Sequence, residues 1–86
     1  MKLRNEFLTH RNGTESFIVP ADSAKFSGLI RGNKTFGDVV ELLMNDTNEN
    51  AIIHALKQKY SAPEGIIERD VSKALKILQE AGALEL

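Results

Sequence analysis

The apolar and polar positions in the first third of the chain read as strand. Glu6-Phe7-Leu8-Thr9-His10-Arg11 is one β-leaning run, and Thr14-Glu15-Ser16-Phe17-Ile18-Val19 is another. Between them sits Asn12-Gly13. Both central residues of a type I′ turn need φ > 0, so this pair predicts a hairpin. Such a turn sets Leu8 opposite Phe17 and Phe7 opposite Ile18. Pro20 has no N–H for a ladder and closes the second strand. A third short run, Gly28-Leu29-Ile30-Arg31, follows a polar link. It supplies the extra strand that a bare hairpin needs for stability.

Past Arg31 the apolar spacing becomes helical. The first predicted helix runs from about Lys34 to Met44, with Phe36, Val39, Val40 and Leu43 on one face. Its N-cap is Asn33 or Thr35, and Thr35 with Asp38 three residues on resembles a capping box. The second starts after Thr47 and runs to about Tyr60. Ile52, Ile53, Leu56 and Tyr60 form its stripe, and His54 points the other way. Asp46 and Glu49 lie where the helix dipole favours acids. The third begins near Pro63-Glu64, where proline in the first turn loses nothing. Ile67, Val71, Ala74, Leu75, Leu78 and Ala81 make its stripe, and Gly82 suits the position just past its end. Three strands then three helices is an α+β order. It is also the parts list of a three-stranded antiparallel sheet packed on a three-helix winged helix-turn-helix bundle. No repeat, linker or low-complexity stretch divides the chain, so residues 1–86 are expected to form a single domain.

Composition narrows the function. The chain is 42% apolar and 27% charged, ordinary for a soluble globular domain. No apolar run nears the ~18 residues of a membrane span. Met1 to Glu6 is polar and no apolar segment follows, so no signal peptide is read and a cytoplasmic location is expected. The absence of cysteine removes disulfides, thiolate nucleophiles and thiolate metal sites. Eleven basic and twelve acidic residues give a net charge of −1, without the basic excess of a nucleic-acid binder. The polar side of the third helix repeats that balance: Glu64, Glu68, Asp70 and Glu80 alternate with Arg69, Lys73 and Lys76, and the acids would repel phosphates.

Catalytic chemistry is thin. His10 lies in a strand and His54 on a polar helix face, and Asn50 and Gln58 occupy the places where a helical metal partner of His54 would stand. Gly28 and Gly32 bracket a short strand, and no Gly-Lys-Ser/Thr follows to make a phosphate loop. No enzyme activity, metal or cofactor is expected.

Two features are left over. With Ile67 at 0° on a helical wheel, the core stripe spans roughly 320° to 80°, while Ile66 and Ile77 fall at about 260° and 280°. Asp70 and Lys73 lie between them and Ala74 borders them, a second narrow strip on one flank of the helix. The other feature is the third strand. If the hairpin pairs on one side of it, Leu29, Ile30 and Arg31 present unpaired main-chain groups on the other, which a peptide can complete as an added strand.

These residues resemble a known family. The run Phe26-Ser27-Gly28-Leu29-Ile30-Arg31-Gly32-Asn33-Lys34-Thr35 looks like the strand-to-helix joint of PqqD-like proteins. Glu41-Leu42-Leu43 is similar to the end of their first helix, and Asp46-Thr47 to the opening of the second. The ending Asp70-Val71-x-x-Ala74-Leu75-x-x-Leu78-x-x-Ala81-Gly82-Ala83-Leu84-Glu85 also fits, as does Phe7-Leu8 with Val19-Pro20. The resemblance covers nearly the whole chain. It implies a non-catalytic recognition element of the kind named for coenzyme PQQ synthesis, which binds the leader of a ribosomally made precursor peptide. The leader is then presented to a modifying enzyme, often a radical SAM protein. It implies that the leader adds as a strand beside the third strand and rests on the third helix. Two positions depart from the pattern: Gly32 stands for a large aliphatic residue and Val40 for a residue that is often Trp, and both shrink the core near the third strand.

The expected site is therefore Leu29, Ile30 and Arg31 on the strand with Ile66, Asp70, Lys73, Ala74 and Ile77 on the helix. The expected partners are a leader peptide and a modifying enzyme, with no nucleic acid and no membrane. The chain itself is either a monomer or, through its open edge, a homodimer. The competing readings are a winged-helix DNA-binding regulator and a purely structural enzyme subunit.

Overall fold

The computed structural model describes residues 1–20 and 30–85. Strands β1 (Lys2–Leu3), β2 (Phe7–Asn12), β3 (Glu15–Pro20) and β4 (Ile30–Gly32) precede helices α1 (Lys34–Leu42), α2 (Glu49–Lys59) and α3 (Ile66–Glu80), and β5 (Leu84–Glu85) ends the chain. Among the described residues the three-stranded antiparallel sheet has the order β2-β3-β4, with β4 at an edge. The α+β plan of sheet then three helices is the one the sequence predicts.

The hairpin register differs from the expected one. Gly13 and Thr14 form the turn and Asn12 faces Glu15, so Leu8 pairs with Val19, Phe7 with Pro20 and His10 with Phe17. Gly13 has φ 64°, and no described non-glycine residue has a positive φ. A turn with one left-handed residue, a glycine at its first central position, is of the II′ kind, so the I′ turn that needs Asn12 left-handed does not form. The partners move by two residues, which keeps every side chain on its predicted face. Phe7, Ser16 and Ile18 are buried towards the helices, and Leu8 and Val19 are exposed on the other face.

Asn33 is the cap of α1, its side-chain oxygen accepting from the Phe36 N–H at 2.9 Å. Thr35 lies inside the helix, and Asp38 turns inward instead of closing a capping box. Asn48 caps α2 in the same way, accepting from Ala51 at 2.8 Å, while Asp46 pairs with the amino group of Met1 at 2.7 Å. The third helix starts later than Pro63-Glu64. The Pro63 carbonyl accepts from the Ile66 N–H at 3.2 Å, and Gly65, at φ 85°, is the residue before the first helical turn. At the far end Gly82 has φ 74°. Its N–H donates to Gln79 and that of Ala83 to Leu78, at 3.0 and 2.9 Å. That paired arrangement satisfies two terminal carbonyls and reverses the chain. The reversal carries Leu84 and Glu85 back to pair with Leu3 and Lys2, a small ribbon that the sequence patterns do not announce.

Val39, Leu43, Ile52, Leu56, Val71 and Leu78 are at most 2% exposed and form the centre of the core. They are joined by Ile67, Ala74 and Leu75 from the predicted α3 stripe. Packing of α1 against β3 and β4, and of α3 against α1 and α2, fixes where α3 lies relative to the sheet edge.

Candidate functional site

Between β4 and α3 lies an open cleft of about 210 Å³. Arg31, Gly32, Asn33, Thr35 and Phe36 form one wall and floor, and Asp70, Lys73, Ala74 and Ile77 form the other. Of the residues singled out from sequence, Arg31, Asp70, Lys73, Ala74 and Ile77 thus meet in one place. Ile66 is half-buried one turn below and does not line the cleft, Ile30 lies beneath the strand, and Leu29 falls outside the described residues. Ile77, 39% exposed, is one of four large apolar side chains left open to solvent among the described residues.

The register decides which main-chain groups face the open edge. Asn12 and Glu15 close a two-residue turn, and pairs along an antiparallel ladder alternate between bonded and non-bonded. Counting from that pair, Ser16 and Ile18 turn their N–H and C=O towards Gly32 and Ile30, and Phe17 turns away from Arg31. Arg31 therefore directs its N–H and C=O outward, whereas the main-chain groups of Ile30 are spent inside the sheet. The Arg31 side chain lies on the outer face, its guanidinium 5.4 Å from the Phe17 ring centre and its Nε 3.3 Å from a Glu15 carboxylate oxygen.

The floor of the cleft is set by a contact invisible in the spacing pattern. A Cβ on Gly32 would lie 2.1 Å from a Phe36 ring carbon and 2.6 Å from the Phe36 Cβ. Phe36 therefore occupies the volume that a side chain at position 32 would fill. Asn33, Thr35 and Phe36 were legible in sequence only as the start of a helix. Their role in the wall follows from the tight joint that brings α1 directly under the strand it leaves.

Buried Asp38 holds α1 in that place. Its carboxylate accepts from the Tyr60 hydroxyl, from Lys59 Nζ at 3.1 Å and from Arg11 at 3.1 Å. The node thus ties β2, α1 and the end of α2 together. Arg11 also reaches Glu41 at 2.8 Å. Burial alone pushes the Asp38 carboxyl up. The hydrogen bonds from Tyr60, Lys59 and Arg11 and the Lys59 charge outweigh it and hold the pKa below the usual aspartate value. The same bond to Asp38, with burial, pushes the Tyr60 phenol up. A carboxylate that binds its proton more weakly folded than unfolded adds stability above the unfolded pKa, and that stability is lost as pH falls through the folded one. Wild type should therefore melt well above Asp38→Asn at pH 7, with the gap closing below about pH 4. Thermal melts by circular dichroism across that range check this, and a gap independent of pH would show that Asp38 acts by shape alone.

On α3, Asp70 is paired with its neighbour Arg69 at 3.7 Å, and Lys73 is exposed. Among the described residues no cluster of His, Cys, Asp or Glu could hold a metal ion, and no helix is long and apolar enough to cross a membrane. Among the described residues, what the cleft offers is a strand edge with no partner strand, an apolar floor and charges of both signs at its rim.

Three comparisons bear on this geometry. A family model described as "Coenzyme PQQ synthesis protein D (PqqD)" matches residues 15–84. No curated protein matches the chain. Among solved structures, "TbiB1 in Complex with the TbiA(beta) Leader Peptide" is similar in fold, with a TM-score of 0.78 at 19% sequence identity. The match covers 99% of this chain and 95% of that one.

Proposed function

The chain belongs to the PqqD family, and from that membership we propose that it is a non-catalytic adaptor. It binds the leader of a ribosomally made precursor peptide as an added strand on β4 and presents it to a modifying enzyme, of the radical SAM class. The observation that carries this reading is the juxtaposition of an open strand edge and the apolar flank of α3 across one cleft. A solved structure with this fold, in complex with a leader peptide, supports it.

The energetic terms follow from the geometry. The N–H and C=O of Arg31 give two main-chain bonds, each worth about 0.5–1.5 kcal/mol net. One or two aliphatic side chains buried on Phe36, Ala74 and Ile77 add about 1.5–3 kcal/mol each. Asp70 and Lys73 pair with charges on the leader at the rim, where screening keeps the gain small. Apolar contact is the larger contribution, so affinity should change little between 50 and 200 mM salt. A DNA regulator making several phosphate contacts would lose about a thousandfold or more over that range.

The direct probe of strand addition is Arg31→Pro. It removes the outward N–H without touching a bond of the β3–β4 ladder, and edge strands accept proline on the solvent side. Titration of the precursor's leader into wild type and Arg31→Pro should show a loss of at least tenfold, with both proteins folded by circular dichroism. Equal affinities would rule out addition on β4. Ile30→Pro is unsuitable, because its N–H belongs to the sheet.

A further inference from the structure

A strand that adds to β4 continues the alternation of the sheet, whichever direction it runs. The residue opposite Arg31 puts its side chain on the outer face beside that of Arg31; the two outward main-chain bonds go to that residue in an antiparallel pairing and to its two neighbours in a parallel one. Its two neighbours, opposite Ile30 and Gly32, turn inward to the cleft. There the floor is Phe36, Ala74 and Ile77, and Gly32 contributes no side chain of its own. Large apolar side chains fill that floor. The outer position meets a guanidinium fixed over Phe17, with Glu15 on its Nε. Opposite charges directly across a ladder attract, and like charges repel.

We propose that the segment bound on β4 has an apolar–acidic–apolar core, the two apolar side chains turned in over Phe36, Ala74 and Ile77 and the acidic one turned out beside Arg31. This rests on the reading of the cleft as a peptide site and specifies the sequence class that the site selects. Glu15 competes for Arg31, so it tempers the preference for an acid without reversing it.

The test is selection from a phage-displayed library of random twelve-residue peptides on the immobilised full chain, run in parallel on Arg31→Glu. Wild type should enrich alternating peptides with Asp or Glu at the central position. Arg31→Glu should enrich the same apolar pair around Lys or Arg. For one enriched peptide, changing the central acid to Lys should weaken binding to wild type about five- to tenfold, and Glu15→Gln should strengthen binding of the acidic form. Enriched peptides with no charge preference, or the same preference on both proteins, overturn the proposed motif. If those peptides still lose binding to Ile77→Asp, the peptide site itself stands. Enriched peptides indifferent to Ile77→Asp, or no enrichment at all, overturn the site and the motif together.

Discussion

Leu78→Ala should leave much of the chain unfolded at 37 °C. Leu78 is 0% exposed and is the last residue of the buried α3 stripe, following Val71, Ala74 and Leu75. Truncating a buried leucine costs about 2–5 kcal/mol, the larger values arising where the surroundings cannot collapse into the gap. Here they are three packed helices and the turn at Gly82, whose hydrogen bonds end on the Leu78 and Gln79 carbonyls. A domain of this size has about 4–13 kcal/mol of stability in all, and small domains lie low in that range. The loss is thus comparable with the whole. Urea denaturation followed by circular dichroism measures it. A midpoint unchanged from wild type would show that the α3 stripe is not the core.

Ile77→Asp, one residue away, should do the opposite: keep the fold and abolish leader binding. One step along a helix rotates the side chain by about 100°, which takes position 77 out of the core and onto the cleft wall. Ile77 is 39% exposed, so an aspartate there stays hydrated in the free protein and costs about 1–2 kcal/mol, from weaker helix propensity, an acid near the helix C-terminus and the partial apolar contact that is lost. In the complex the change removes an apolar contact worth about 1.5–3 kcal/mol. It also strips water from a carboxylate, at about 1–3 kcal/mol or more. Together these amount to about a hundredfold or more in affinity. Isothermal titration of the leader into both proteins, with their melting curves alongside, reads the two effects separately. Undiminished binding by a folded Ile77→Asp would place the site elsewhere on the molecule.

The contrast between positions 77 and 78 shows what the sequence determined by itself. Helical spacing separated Leu78 from Ile77 because the period of 3.6 assigns each residue to a face before any neighbour is known. The same local rules gave the order of strands and helices, the ends at Pro20 and Gly82, and the stripe Ile67, Val71, Ala74, Leu75 and Leu78. Other features depend on residues far apart in the chain. Asp38 looked like a capping residue for Thr35, and only the approach of Arg11, Lys59 and Tyr60 makes it a buried node. Asn12-Gly13 is a strong turn signal, yet the turn that forms is Gly13-Thr14. Both registers place the same set of side chains on one face, so the hydrophobic pattern by itself does not choose between them. That two-residue difference carries through the ladder to β4 and is what turns the main-chain groups of Arg31, and not those of Ile30, to the open edge. Gly32 read as a bend or a shrunken core position, and the structure fills its place with the Phe36 ring. Periodicity reports which face a side chain takes, since that depends on its nearest few residues. Which groups meet across a cleft depends on how separate elements dock, and only the tertiary structure decides that.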